Sequence, residues 1–244
     1  MIQALQDVQG ASGAIFEDGV AVSFGNDSNA ILAAREGVAL CDRTHWGRIQ
    51  VSDAERLRFL HNQSTNDFQS LKPGQGCDTV FVTSTARTID LVTAYVTEDA
   101  VLLLVSPNRR QPLMELLDRY IFPMDRVQLK DVTDASATFS LIGPGSDALL
   151  EKLGAGAMVG QPYASHQVVS IPPNPPYQGG DVGGDLGEVR VAVGSGLAIP
   201  GYTVIVPIDK AAMLWKFLVE VGAVPMGDRI WEQLRIEQGR PVPD

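Results

Sequence analysis

Between residues 77 and 106 the chain carries three apolar, β-branched runs separated by connections too short to hold a helix. Residues 77–84 and 88–97 are rich in Val, Thr, Ile and Tyr, and VLLLVS follows directly after the polar pair Glu98-Asp99. Strands joined by two or three residues run antiparallel, because a parallel neighbour needs a crossover of about a dozen residues or more. This stretch is thereby committed to an antiparallel sheet.

The flanking segments read in the same style. NAILAAREGVAL, 29–40, predicts a helix, and WGRIQVSD, 46–53, a strand. Ser52 followed by Glu55 fits a capping box, opening a helix over about 53–62 with Leu57 and Leu60 on one side. Lys72-Pro-Gly-Gln-Gly76 is a turn. Ser106-Pro107 starts a helix whose Leu113, Leu116, Leu117, Tyr120 and Ile121 form an apolar stripe, ended by Pro123. Strands at 126–131 and 138–142 follow, then a helix at 146–153 with Gly154 just past its end. Further strands are expected near 166–171, 187–193 and 202–207, with a helix capped by Asp209 carrying Leu214, Trp215 and Leu218. The last helix, 228–239, spreads Ile230, Trp231, Leu234 and Ile236 over more than one face, which predicts an exposed apolar patch. The pattern is α+β: two packed units of antiparallel sheet plus helices, residues 1–155 and 156–244. The Pro/Gly-rich segment PPNPPYQGGDVGGDLG, 172–187, reads as a flexible loop.

The formal net charge is −10, which disfavours nucleic acid and anionic lipid as partners. MIQALQDVQG lacks the basic start and apolar core of a secretory signal, and VLLLV is far too short to cross a bilayer. Cys41 and Cys77 form no CxxC pair and read as small buried residues in a reducing, cytoplasmic setting. His45, His61 and His166 show no metal-ligand spacing, so no metal site is expected. GxSxG, GKS/T and HExxH are all missing, and no catalytic residue is assigned.

The candidate binding residues are polar groups in apolar settings. HNQSTND, 61–67, is a polar run with a single acid, placed between an apolar helix and a Pro-Gly turn. Its Asn and Ser side chains can close a turn on the backbone. An amide such as Asn66 can equally serve a neutral heteroaromatic ring, since it offers a donor and an acceptor together. Asp90 shares a strand face with Val92, Ala94 and Val96. It is either tilted into solvent at the strand start or an acceptor for a ligand's N–H groups. Arg235, between Leu234 and Ile236, is either a snorkelling surface residue or the partner of an anionic ligand tail.

CDRTHWGRIQVSDAERLRFLHNQSTNDFQSLKPGQG, TARTIDLVTAYV, GYTVIVP and WEQLRIEQGRP occur in that order from about residue 36 to the end of the chain. Together they resemble the folate-binding T-protein-like superfamily. It contains the aminomethyltransferase of the glycine cleavage system and a sister family of folate-dependent proteins that assist iron–sulfur cluster assembly or repair. The resemblance implies a cavity for tetrahydrofolate or a one-carbon derivative. Gln63, Thr65, Asn66 and Asp67 match a family polar turn near that cavity, and Asn66, Asp90 and Arg235 are the expected folate-binding residues.

The departures from the transferase pattern point to the sister family. The transferase has two acids where this chain has Asp90-Leu91, and a folate-contacting Glu where this chain has Thr203. Aligned on Leu-Arg-Ile-Glu, Trp231 stands where the transferase has a folate-binding Arg. Trp in W-x-x-L-R-I-x-x-G resembles the iron–sulfur branch, whereas Arg235 matches both branches. The sister family's K-G-C-x-x-G-Q-E motif and the C-terminal barrel that follows are missing, so the sequence is expected to be a fragment of a longer protein. The implied function is folate binding in support of iron–sulfur client proteins, without the usual transferase activity. The alternatives are a true aminomethyltransferase and a non-catalytic interaction scaffold whose folate cavity has decayed.

Overall fold

The computed structural model describes residues 2–171 and 186–240. In chain order the elements are α1 (Ile2–Ala11), β1 (Ile15–Glu17), β2 (Val20–Ser23), α2 (Asp27–Glu36), β3 (Ala39–Asp42), β4 (Gly47–Ser52) and α3 (Arg56–Gln63). Next come β5 (Gly76–Val82), β6 (Thr88–Val96), β7 (Ala100–Val105), α4 (Arg110–Arg119), β8 (Gln128–Asp131), β9 (Ser136–Ile142) and α5 (Ser146–Lys152). The rest are β10 (His166–Ile171), β11 (Gly187–Val193), β12 (Gly201–Pro207), α6 (Ala211–Glu220), β13 (Val224–Met226) and α7 (Asp228–Glu237). The expected α+β class is the observed one. The loop expected at 172–187 lies, over 172–185, outside the described residues, whereas Gly187 opens β11.

The chain divides into two compact units. One holds the described residues of Met1–Thr44, Asp134–Pro162 and Gln167–Arg240, and the other holds His45–Thr133 with Tyr163–His166. These units interleave along the chain, which differs from the contiguous boundary expected at 155/156. The reason is strand pairing: β3, from the start of the chain, pairs with β9 on one side and with β13 on the other.

The first unit has a six-stranded sheet in the order β10-β11-β12-β9-β3-β13 and a β1-β2 hairpin. Its core gathers Trp215 of α6 with Phe24, stacked at 5.7 Å, and Phe139, edge-on at 5.5 Å. The second unit has a five-stranded sheet in the order β5-β6-β7-β4-β8. Phe59 and Leu60 of α3, and Leu113 and Leu117 of α4, are buried in the same cluster as Ile49, Val92 and Leu103 from its strands.

Four local expectations are corrected. The helix expected over 29–40 ends at Glu36, and Ala39–Asp42 is a strand. Gly37 N–H closes the helix on the Ala33 carbonyl, and β3 is then captured by its two neighbours, so pairing overrides helix propensity. The close approach there needs glycine: a Cβ on Gly143, at φ 120°, would collide with the Gly37 carbonyl oxygen. The Ser52–Glu55 capping box does not form, because Ser52 ends β4 and Asp53 turns the chain at φ 80°. Asp209 lies inside a 3-10 turn, Ile208–Lys210, and makes no capping bond. On α7, Ile230, Trp231 and Leu234 are buried, and Ile236 alone of the four is exposed, so that helix shows no broad apolar patch.

Candidate functional site

The polar run begins as the last turn of α3, His61–Gln63, and its Thr65 and Asn66, past the helix, lie along the outer edge of β5. Thr65 N–H donates to the Val80 carbonyl at 3.1 Å, and Val80 N–H donates to Thr65 Oγ1 at 3.0 Å. Asn66 Nδ2 donates to the Asp78 carbonyl at 2.8 Å, while Asn66 Oδ1 accepts from Asp67 N–H at 2.8 Å. Asp67 in turn accepts from the Gln69 and Ser70 amides. An unpaired strand edge presents free N–H and C=O groups. Short uncharged side chains can satisfy both kinds, which accounts for a polar run with one acid. Asn66 is therefore engaged through both ends of its amide, in the turn-closing role.

Asp90 sits one strand further in, opposite Phe81 of β5. It is fully buried, so it is not tilted into solvent. Its carboxylate accepts from Ser106 N–H at 2.9 Å and from Ser106 Oγ at 2.7 Å. Ser106 lies between β7 and the turn that opens α4, so Asp90 fastens a strand to the start of a helix. Burial pushes the Asp90 carboxyl above its ordinary range, against the lowering effect of the Ser106 bonds and of Arg109. Beside Asn66 on β5, Asp78 accepts from Thr93 Oγ1 at 2.6 Å and from Tyr163 OH at 2.9 Å. The second unit thus holds Asn66 against the outer edge of β5 and Asp90 on β6, the strand next in, with the Asp78 side chain tied to Thr93 and Tyr163.

Arg235 belongs to the other unit. Its Nε and Nη2 meet the Glu232 carboxylate at 2.6–3.0 Å, and Nη1 donates to the Arg240 carbonyl at 2.6 Å. It fastens the end of α7 through a bidentate pair. The same helix carries a feature hidden in the sequence. The guanidinium of buried Arg43 lies over the Trp231 ring, 4.7 Å from its centroid, and Arg43 Nη2 donates to Thr203 Oγ1 at 3.1 Å. Thr203 Oγ1 donates onward to the Gly194 carbonyl at 2.7 Å. Gly196, at φ 85°, closes over the pair: a Cβ there would stand 2.7 Å from Arg43 Nη1 and 2.8 Å from Trp231 Cη2. Thr203 and Trp231, singled out separately as departures, are thus joined by one cation. Arg43 was missed because it is 160 residues from Thr203 and no local pattern marks it.

Among the described residues no group of three or more His, Cys, Asp or Glu could hold a metal ion, and no helix is long and apolar enough to cross a membrane. Both cysteines are free thiols.

Comparison with known proteins gives this arrangement a family. A chloroplastic protein of Arabidopsis thaliana that carries a provisional transferase name is 44% identical over 240 residues, covering 98% of this chain and 52% of its own. The aminomethyltransferase of Chlorobaculum tepidum is 26% identical over 212 residues, covering 85% of this chain and 55% of its own. The crystal structure of the glycine cleavage system aminomethyltransferase T from Bartonella henselae matches with a TM-score of 0.80 at 19% identity, over 98% of this chain and 63% of that one. At that identity the match shows a shared fold. The chain spans about half the length of the curated relatives it matches. The model of the GCVT N-terminal domain matches residues 12–170, more than half of the chain. The chain belongs to the GCVT N-terminal domain family, within the T-protein-like superfamily.

Proposed function

We propose that this chain is the tetrahydrofolate-binding part of a T-protein-like protein that serves iron–sulfur cluster assembly or repair and does not transfer aminomethyl groups. The contact of Arg43 with both Thr203 and Trp231 carries this reading. It occupies the two positions where the transferase pattern has a folate-contacting Glu and Arg. A hydroxyl and an indole can supply neither the carboxylate nor the guanidinium, and both are buried against a cation that reaches them from the end of β3.

The chemistry of Asp90 fits a reduced folate. An ionised carboxylate has about four acceptor sites; Ser106 uses two of them and the Leu91 N–H also faces the carboxylate. The remaining acceptor capacity suits a pterin ring N–H. In this reading Asp90 takes the ring, Asn66 holds the edge of β5 in the same unit, and Arg235, in the other unit, holds the end of α7. Iron–sulfur proteins are then clients rather than ligands of this chain, and the free thiols of Cys41 and Cys77 belong to a reducing cytoplasmic setting.

The aminomethyltransferase reading is the second one, supported by the names of the relatives at 23–27% identity. Equilibrium dialysis of the full protein with tetrahydrofolate, paired with the activity of a [4Fe–4S] enzyme in cells lacking the protein, tests the proposal. Folate binding and loss of client activity are expected. Failure to bind folate would favour a scaffold with a decayed cavity, and an unchanged client would remove the iron–sulfur role.

A further inference from the structure

We infer that Arg109 is a specificity-determining residue: beside Asp90 it selects a neutral ring that presents an N–H next to a C=O, the cyclic-amide edge of a 4-oxo pterin, over the 4-amino counterpart. The inference rests on the reading that Asp90 takes the ring of a reduced folate.

One turn ties the two residues together. Ser106 holds the Asp90 carboxylate through its N–H at 2.9 Å and its Oγ at 2.7 Å. Three residues on, Arg109 N–H donates to the Ser106 carbonyl at 3.0 Å, closing the 3-10 turn Pro107–Arg109. Pro107 fixes one φ of that turn. The Arg109 stem therefore leaves from a backbone position set by the serine that binds Asp90. Asp90 and Ser106 are buried, whereas Arg109 is half-buried. Of the three, Arg109 is the member a ligand meets first.

The guanidinium is short of acceptors. Arg109 Nε is buried without a hydrogen-bond partner, and the Arg109 side chain forms no hydrogen bond or ion pair with another described residue. Its neighbour Arg110, by contrast, meets Asp131 at 3.3 Å. A guanidinium offers only donors, and a buried donor left unmade is costly. The positive charge of Arg109 acts on Asp90, lowering its pKa against the effect of burial, yet the two groups form no ion pair. Carboxylate and guanidinium thus balance each other's charge while each keeps hydrogen-bonding capacity.

That balance defines the ligand edge. A charge-compensated pair favours a neutral ligand over an ion, which would leave one charge in excess in a partly buried place. Asp90 keeps acceptor capacity for a ring N–H, and Arg109 calls for an acceptor beside it. An N–H next to a C=O meets both, and a 4-oxo pterin carries that edge. In a 4-amino pterin a donor stands where the carbonyl was and faces the donors of Arg109. Sites built on a hydrogen bond discriminate strongly against analogues that leave their polar groups unpaired.

Calorimetry of the full protein with tetrahydrofolate and with tetrahydroaminopterin, which carries a 4-amino group in place of the 4-oxo group, tests this. The wild type should prefer tetrahydrofolate at least about tenfold. Arg109→Met, which keeps an unbranched stem, should weaken tetrahydrofolate binding about tenfold or more, while affinity for the 4-amino ligand holds or rises. The preference is then erased. Arg109→Lys, which restores a cationic donor, should recover part of both the affinity and the preference. Equal wild-type affinity for the two ligands, or tetrahydrofolate binding unchanged in Arg109→Met, would overturn the inference and leave the folate reading standing. An equal loss for both ligands in Arg109→Met would also overturn it, leaving Arg109 a structural role alone. No binding of tetrahydrofolate by the wild type would overturn both.

Discussion

The guanidinium of Arg43 rests on the ring of Trp231, 4.7 Å from its centroid, and both side chains are buried. A buried cation is costly unless something compensates its lost hydration. Here an aromatic face and the Thr203 hydroxyl contribute, at positions where the transferase pattern carries an acid and a base of its own. Trp231→Ala should therefore cost about 3–5 kcal/mol of stability, the range for emptying a large buried aromatic site. Trp231→Phe, which keeps a ring face, should cost clearly less. Urea unfolding of both variants checks this, and equal losses would remove the cation–π contact from the account.

Asn66 and Thr65 should behave as edge caps. Asn66→Ala removes the donor to the Asp78 carbonyl and should cost about 0.5–1.5 kcal/mol. Thr65→Val removes the acceptor of Val80 N–H, so amide exchange at Val80 should quicken while exchange in β7 stays slow. Tetrahydrofolate affinity should be preserved in Asn66→Ala. A loss of tenfold or more, without unfolding, would return Asn66 to the role of ligand amide.

Asp90 and Ser106 can be separated by comparing two variants. Ser106→Ala removes the hydroxyl bond but leaves the carboxylate, whereas Asp90→Asn removes the charge. If Asp90 takes the ring N–H groups, Asp90→Asn should weaken tetrahydrofolate binding about tenfold or more, and Ser106→Ala much less. Equal effects would mean that Asp90 acts only through Ser106.

The same residue sets a pH dependence. Burial raises the folded Asp90 pKa above its unfolded value, so the folded state binds the extra proton first. Its contribution to stability is complete below the ordinary carboxylate pKa, about 3.9, and is lost as pH rises through the raised folded value. Asp90→Asn lacks this component. The stability of the wild type relative to Asp90→Asn should fall as pH rises through that window. A difference that is flat or rises with pH would contradict the assignment.

The sequence made the antiparallel meander of β5, β6 and β7 legible, because short connections and β-branched runs leave few other choices. It also marked Asp90 as a carboxylate on an apolar face. Ser106, its partner, could not be read, since the pairing depends on how β6 and β7 come into register. The run at 61–67 showed its chemistry but not its target: Asp78 and Val80 become its partners only once β5 is an edge strand. The helix expected through Ala39 and Leu40 failed because β9 and β13 claim those residues from distant parts of the chain. Arg235 carries a conspicuous charge in an apolar setting, and its partner is three residues away on the same helix. Arg43 and Trp231 lie near opposite ends of the sequence, so their contact is a property of the fold.

Steady-state transfer of an aminomethyl group from a lipoyl carrier protein to tetrahydrofolate, measured with the full protein under conditions where folate binding has been verified, tests the central claim most directly. With Thr203 and Trp231 in place of the acid and the guanidinium, tetrahydrofolate should bind while transfer is undetectable or far below about 1 per second. Turnover in the common enzyme range of about 1–10³ per second would contradict the account.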